Sequence, residues 1–312
     1  MSQKYLNVLH QTHTLTVIDI DRLSNYLVFR QMALKGISSK FNSPKRLYWL
    51  VVLCIFSIIS FISIGQLFAQ TNNLNGFHKI LDTTGVQVYQ KSHAERLADF
   101  VTVVDLRKAS IRNLIGASNS NSIYQKSLNE FWNVALADNA GNFRARAVIN
   151  GTFFSPNDNP TGIAFGLKKQ SQFMSYGYGL KEYPNLTKTF SFDSIAANAS
   201  IQDYSQSTFN SSQPDVIGAL DITANKSATS YLGRTFVGTV DTDRDTIAET
   251  VLFFSSQYAR QSDANNVLRA FGATNTAMLD GGGSTGLIVD GSTKILTART
   301  IPHAIAIYAG KP

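Results

Sequence analysis

NTAMLDGGGSTGLIV, residues 275–289, sets an apolar run, an acid, three glycines, two hydroxyls and a second apolar run in succession. The pattern predicts strand, tight loop, strand. Three successive glycines permit positive φ and let the backbone approach a neighbour or a ligand closely. The amides of Gly281, Gly282 and Gly283, with the hydroxyls of Ser284 and Thr285, can face an anion. Asp280 stands at the end of a buried strand, where a carboxyl costs stability and serves chemistry. The competing reading is a glycine-rich hairpin turn capped by Asp280.

Outward from this loop the chain alternates strands with occasional helices. Phe100–Leu106, Ala145–Ile149, Val216–Leu220, Arg234–Val240, Thr250–Phe254 and Ala304–Tyr308 carry the β-branched and aromatic character of strands. Ile163–Leu167 and Gln172–Tyr176 flank a polar turn and predict a hairpin. Ser122–Asp138 places Ile123, Leu128, Phe131, Trp132 and Ala135 near helical spacing. Ser262–Phe271 reads as a second helix, started by Ser262 or Asp263 and ended by Gly272. Residues 184–214 are rich in Ser, Thr and Asn and show no clear period. The class expected is α+β: a mostly antiparallel sheet with packed helices, preceded by one N-terminal transmembrane helix.

That last expectation rests on residues 47–65, LYWLVVLCIFSIISFISIG, an uncharged run of bilayer length. Lys45 and Arg46 precede it and place residues 1–46 on the cytoplasmic side. The tail 1–46 carries seven Lys/Arg against Asp19 and Asp21, while the remainder holds 21 basic and 19 acidic residues. The net charge of +7 is thus mostly a property of the tail, and no basic stripe marks the body for nucleic acid. The expected organisation is a basic tail (1–46), a signal anchor (47–69), a linker (70–98) and one domain (99–312) outside the cytoplasmic membrane. Secretion after signal cleavage at Ala69 is the alternative. The sole cysteine, Cys54, lies within the apolar run, so the exported part has no disulfide. An Asn-x-Ser/Thr sequon at Asn150 falls inside a candidate site loop, where a glycan would block access, and this favours a bacterial envelope.

Four segments stand out together: Asn150-Gly151-Thr152-Phe153-Phe154, Gly233-Arg234-Thr235-Phe236-Val237-Gly238, Leu279–Thr285, and Arg299-Thr300-Ile301-Pro302-His303-Ala304. In this order and spacing the chain resembles the phosphodiester glycosidase family over roughly residues 100–312. The resemblance implies a hydrolase of sugar phosphodiesters. Family members often carry Gly where this chain has Thr152 and Asn where it has His303.

The residues make chemical sense on their own. A guanidinium pairs well with a phosphodiester anion, and Arg234 and Arg299 are assigned to phosphate binding. Gly151, Thr235, the Gly281–Gly283 backbone, Ser284 and Thr285 complete the substrate-binding set. Asn150 contacts a sugar hydroxyl or orients its loop. Asp280 is the candidate nucleophile or general base, and His303 the candidate general acid. Glycosidic cleavage ordinarily uses two carboxyl groups. A phosphate leaving group needs less protonation, and Asp105, Asp221 and Asp241 are the candidates if a second acid serves. Asp241-x-Asp243-x-Asp245 admits calcium, but an acidic turn is the simpler reading; no metal or cofactor is otherwise indicated. The leading expectation is a membrane-anchored hydrolase of an envelope glycan phosphodiester. The alternatives are a non-catalytic glycan-binding or exopolysaccharide-assembly module, and an exopolysaccharide hydrolase that needs a second carboxylate.

Overall fold

The structure, a computed structural model, describes residues 74, 76–119 and 122–312. The expected tail and membrane segment lie outside the described residues. Among the described residues no helix is long and apolar enough to cross a membrane.

The elements run β1 His78–Thr83, β2 Val86–Lys91, β3 Asp99–Asp105, β4 Ala109–Ile115, β5 Ser118–Asn119, β6 Ser122–Ile123, α1 Leu128–Ala137 and β7 Arg144–Asn150. There follow β8 Leu167–Lys169, β9 Gln172–Ser175, β10 Thr187–Asp193, β11 Asn198–Asp203, α2 Gln206–Phe209, β12 Asp215–Leu220, β13 Leu232–Val240 and β14 Thr250–Ala259. The chain closes with α3 Gln261–Ala270, β15 Asn275–Met278, a 3-10 turn Gly282–Ser284, β16 Leu287–Val289, β17 Ser292–Ile295 and β18 His303–Ala309.

The α+β expectation is corrected by this inventory. Two antiparallel sheets dominate, and the described residues hold three α-helices, one of them four residues long. The large sheet has 11 strands, in the path β1-β2-β3-β14-β13-β15-β12-β10-β11, with β8 attached to β12 and β9 to β8. The small sheet has five, ordered β17-β16-β7-β18-β4. Two stretches account for the difference. Residues 78–91, assigned to the linker, form the β1–β2 hairpin on the edge of the large sheet, turned at Gly85 with φ 73°. Residues 184–214, unreadable by pattern, hold β10 and β11, whose Phe190, Phe192, Ala199 and Ile201 enter the core while Ser and Thr take the opposite face and pair across the strands, as Ser191 does with Ser200.

Packing follows the period of two along each strand. Val237 and Phe253 enter the core shared with Ile149, Ile288 and Ile305 of the small sheet. Their neighbours Phe236, Leu252 and Phe254 point to the other face, where Ala264 and Leu268 of α3 cover them. Helix α1 packs on the small sheet through Phe131 and Ala135 and starts at a Ser127–Glu130 capping box. With both faces covered, β18 is buried along all seven residues. Residues 71–312 form one compact unit with closed cores of their own, the condition for folding without the segment before them.

Candidate active site

The glycine loop lies where the chain leaves one sheet for the other. Strand β15 belongs to the large sheet and β16 to the small one, so residues 279–286 are a crossover and not a hairpin turn. The Leu279 amide still donates to Thr235 O at 2.9 Å, and the Asp280 amide turns to Gly151 O at 3.0 Å. The backbone of Asp280 is thereby tied to β13 of one sheet and to the end of β7 in the other.

Asn150 is the knot of this junction. Its Oδ1 accepts from Thr235 Oγ1 at 2.6 Å and from the Gly286 amide at 3.1 Å, and its Nδ2 donates to Asp280 O at 2.7 Å. Both Asn150 and Thr235 are buried. Asn150 therefore orients the loop, and the sugar-contact alternative does not match its burial. Glycine at 233 and 281 is a matter of contact: a Cβ on Gly233 would lie 2.3 Å from Gly282 O, and one on Gly281 would lie 2.6 Å from Gly233 O.

His303 is held under the same loop. Asn113 Nδ2 donates to Lys168 O at 3.0 Å and to Asp215 Oδ1 at 3.1 Å, which leaves its Oδ1 as acceptor for His303 Nε2 at 3.0 Å. The imidazole thus carries its proton on Nε2, and Nδ1 accepts the Thr152 amide at 3.0 Å. Burial, with a smaller contribution from Lys169, lowers its pKa to about 3. A neutral, enclosed ring with both nitrogens bonded has no proton to give, so the general-acid expectation for His303 is corrected. The ring positions Gly151, where a Cβ would come within 1.9 Å of Nδ1.

Arg234 is corrected in the same way. It is buried, its Nε donates to Ala259 O at 3.1 Å, and its Nη1 and Nη2 donate to the carbonyls of Lys226, Ser227 and Ser230 at 2.8, 2.7 and 3.1 Å. Burial lowers its pKa. This guanidinium stands in the wall of the Asp280 cavity, but four of its donor hydrogens are spent on backbone carbonyls and fasten the loop 225–230.

What that loop presents is Lys226, a residue the sequence motifs did not single out. Lys226, Asp280, Gly281 and Gly282 line a cavity of about 340 Å³ with Phe153 and Leu232. The ammonium stands 5.3 Å from the Phe153 ring centre and 5.2 Å from that of Tyr183. Arg299 is exposed and lies against Gly283, its Nη2 2.8 Å from where a Cβ would be. Neither cation joins an ion pair among the described residues. Burial raises the Asp280 pKa to about 6 against the opposing pull of Ser284, the Gly281 amide, Arg299 and Lys226. The Gly281 amide meets Asp280 Oδ1 at 2.9 Å. Ser284 is buried on that carboxyl, and the Thr285 hydroxyl is buried without a partner among the described residues.

The structure thus brings Asn150, Gly151, Arg234, Thr235, Asp280, Gly281–Thr285, Arg299 and His303 to one place, with Arg234 in the cavity wall as the clamp of the loop 225–230. Asp105, Asp221 and Asp241 are elsewhere: Asp105 pairs with Arg107, Asp221 with Lys188, and Asp241 takes the amides of Arg244, Asp245 and Thr246. Asp241, Asp243 and Glu249 place carboxylate oxygens within 4.8 Å of one another, and Arg107 lies against the last two.

No curated protein matches the chain. Among solved structures, a hypothetical protein from Synechocystis is similar, with 13% identity and a TM-score of 0.54 over 75% of this chain. The match covers 64% of that protein, less than two thirds of its length. The catalytic domain of zebrafish N-acetylglucosamine-1-phosphodiester alpha-N-acetylglucosaminidase, auto-inhibited by its pro-peptide, is also similar, with 13% identity and a TM-score of 0.50. That match covers 76% of this chain and 82% of the zebrafish domain. At such identity these likenesses speak for the fold alone. The family model for phosphodiester glycosidase matches residues 143–308, a span that contains Asn150, Arg234, Asp280 and His303. With more than half of its length matched in this way, the chain belongs to the phosphodiester glycosidase family.

Proposed function

We propose that the chain hydrolyses a sugar-1-phosphodiester of the envelope outside the cytoplasmic membrane, with Asp280 as its base. Family membership supports a glycosidase-type hydrolase, and the apolar segment 47–65, read from sequence alone, supports anchoring at that membrane. One observation carries the chemistry: Asp280 is the only carboxyl lining the cavity among the described residues, and two unpaired cations, Lys226 and Arg299, stand by it.

A phosphodiester bears one negative charge. Lys226 and Arg299 match it, and the Gly282 backbone at the cavity wall adds a polar contact. With the phosphate seated there, the Asp280 carboxylate takes a proton from a water molecule. The water oxygen bonds to the anomeric carbon as the bond from that carbon to the phosphate oxygen breaks. The electron pair stays on the phosphate, which leaves as a monoester held by the two cations, and the proton on Asp280 passes to solvent. A phosphate monoester is a stable anion, so one carboxyl suffices where an alcohol leaving group needs two. A pKa of about 6 leaves Asp280 ionised and basic enough to act at neutral pH. The chemistry needs no cofactor.

Asp280→Asn keeps the shape of the site and removes the base. Turnover of a sugar-1-phosphodiester is expected to fall about 10³-fold or more, with binding of the product phosphomonoester retained. Turnover within threefold of wild type would remove Asp280 from the mechanism. A wild-type protein that binds the glycan and never releases product would show a non-catalytic binding module.

A further inference from the structure

Of the large apolar side chains that the described residues leave exposed, five gather along one edge beside the cavity mouth: Leu97, Tyr231, Leu232, Tyr258 and Leu296, 39% to 68% exposed. They form a continuous path. Leu232 lines the Asp280 cavity. Tyr231, its neighbour in sequence, stacks on Tyr258 with ring centres 4.8 Å apart and planes 14° apart. Tyr258 and Leu97 wall a groove of about 780 Å³. The Leu296 carbonyl takes the Gln257 side chain at 2.7 Å, which fixes Leu296 beside the same strand. A connected apolar surface of this kind on a secreted domain marks a binding face.

The chemistry of the edge selects its occupant. Three of the five side chains are leucines, which suit an aliphatic chain better than a sugar. Tyr231 already stacks on Tyr258 and carries the Arg260 guanidinium 5.2 Å from its ring centre, leaving little open ring face for a pyranose. The basic side chains nearby are paired: Arg260 with Asp263, and Arg96 and His93 with Asp99. The charged side chain of the groove that joins no ion pair among the described residues is Glu95, a carboxylate that repels an anionic bilayer surface, whereas an uncharged chain finds a path leading out of the site.

We propose that the group across the phosphate from the sugar is a long aliphatic chain, acyl or isoprenoid in type, and that it leaves the Asp280 cavity over Leu232 and lies along Tyr231, Tyr258 and Leu97. This rests on the phosphodiester reading of the cavity and names the substrate class for it: a lipid-linked sugar phosphate, cleaved to free sugar and an alkyl phosphate.

The product supplies the probe. Butyl phosphate and decyl phosphate, below its micellar concentration, are titrated into the 71–312 protein by calorimetry. Decyl phosphate is expected to bind at least ~30-fold more tightly, about half of what full burial of the added methylenes would yield on a logarithmic scale. Leu97→Ser with Tyr258→Ser, both at exposed positions in the outer groove and outside the Asp280 cavity, should reduce that preference below about threefold and leave the butyl phosphate affinity unchanged. Equal binding of the two probes overturns the proposal and leaves the anion cavity standing. A preference that survives the double substitution places the chain elsewhere and also overturns it. Binding of neither probe refutes the anion cavity and the proposal with it. Loss of binding to phosphatidylglycerol vesicles in the double variant, with no chain-length preference in the wild type, would make the edge a bilayer contact instead.

Discussion

Asp280 works at a cost to the fold. Its pKa of about 6 lies above the 3.8 of an exposed aspartate, because burial disfavours the charged form. A carboxyl raised in this direction favours the folded state when protonated. Stability is therefore lost as pH rises from about 4 to about 6 and stays lost above. Asp280→Asn should stabilise the protein by on the order of 2 kcal/mol at pH 8 and change little near pH 3. Urea unfolding at the two values checks the sign, and a variant less stable at pH 8 would contradict it. The two basic residues of the loop 225–235 separate by role. Lys226→Ala should raise KM for a phosphodiester about tenfold and cost only about 1 kcal/mol of stability, since its head group makes no hydrogen bond among the described residues and touches only the Phe153 and Tyr183 rings. Arg234→Ala removes a donor from four backbone carbonyls, of which Ser227 O keeps the Ser230 amide, and should cost about 3 kcal/mol or more of stability. Melting curves and steady-state kinetics on the pair discriminate these outcomes. Sequence reasoning reached Asp280 because an acid before three glycines has few structural excuses. It misassigned Arg234 and His303 because residue type shows what a side chain can bind and not whether its donors are already taken. Lys226 had no motif around it; its position follows from the Arg234 clamp, which only the fold reveals.

At the level of elements, the four motifs are the ends of strands that meet at one seam. Asn150 ends β7, Arg234 and Thr235 open β13, Asp280 follows β15, and His303 opens β18. Most of these strands were legible because both of their faces are buried and their sequences run apolar, as FVTVVDL and HAIAIYA do. Others were not. In β10, TKTFSFD, only Phe190 and Phe192 signal a core; the Thr and Ser on the opposite face are buried too, and bond to neighbouring hydroxyls and to backbone. The β1–β2 hairpin alternates, but it follows polar residues that read as a linker. Its burial makes a prediction. Phe77, Val86, Val88 and Tyr89 are all buried, each worth about 1.5–3 kcal/mol, a sum comparable with the whole stability of a domain. A 99–312 fragment should fail to give a cooperative melt and should aggregate through the bared edge of β3, whereas 71–312 melts cooperatively. Equal melting of the two fragments would return residues 78–91 to the status of a linker.

At the scale of the described residues together, two antiparallel sheets share a core, and the crossover from β15 to β16 carries the base. That arrangement explains why the DGGG loop needs glycine on both of its sides: it threads between β13 and the end of β7 with no room for a Cβ toward Gly233. It also places Thr152 and His303 side by side, since the backbone amide of the first donates to the ring of the second at 3.0 Å. The class was misjudged toward α+β because two helices with strong periodicity stand out in sequence, while short strands with Ser and Thr do not. The central claim is that this crossover cleaves the bond between an anomeric carbon and a phosphate, and product release by the 71–312 protein tests it directly. A sugar-1-phosphodiester and the matching alkyl glycoside are incubated in parallel and their products identified. Free sugar and phosphomonoester from the diester, with the alkyl glycoside intact, is the predicted result. Cleavage of the alkyl glycoside at a comparable rate, or of neither by a folded protein, would contradict it.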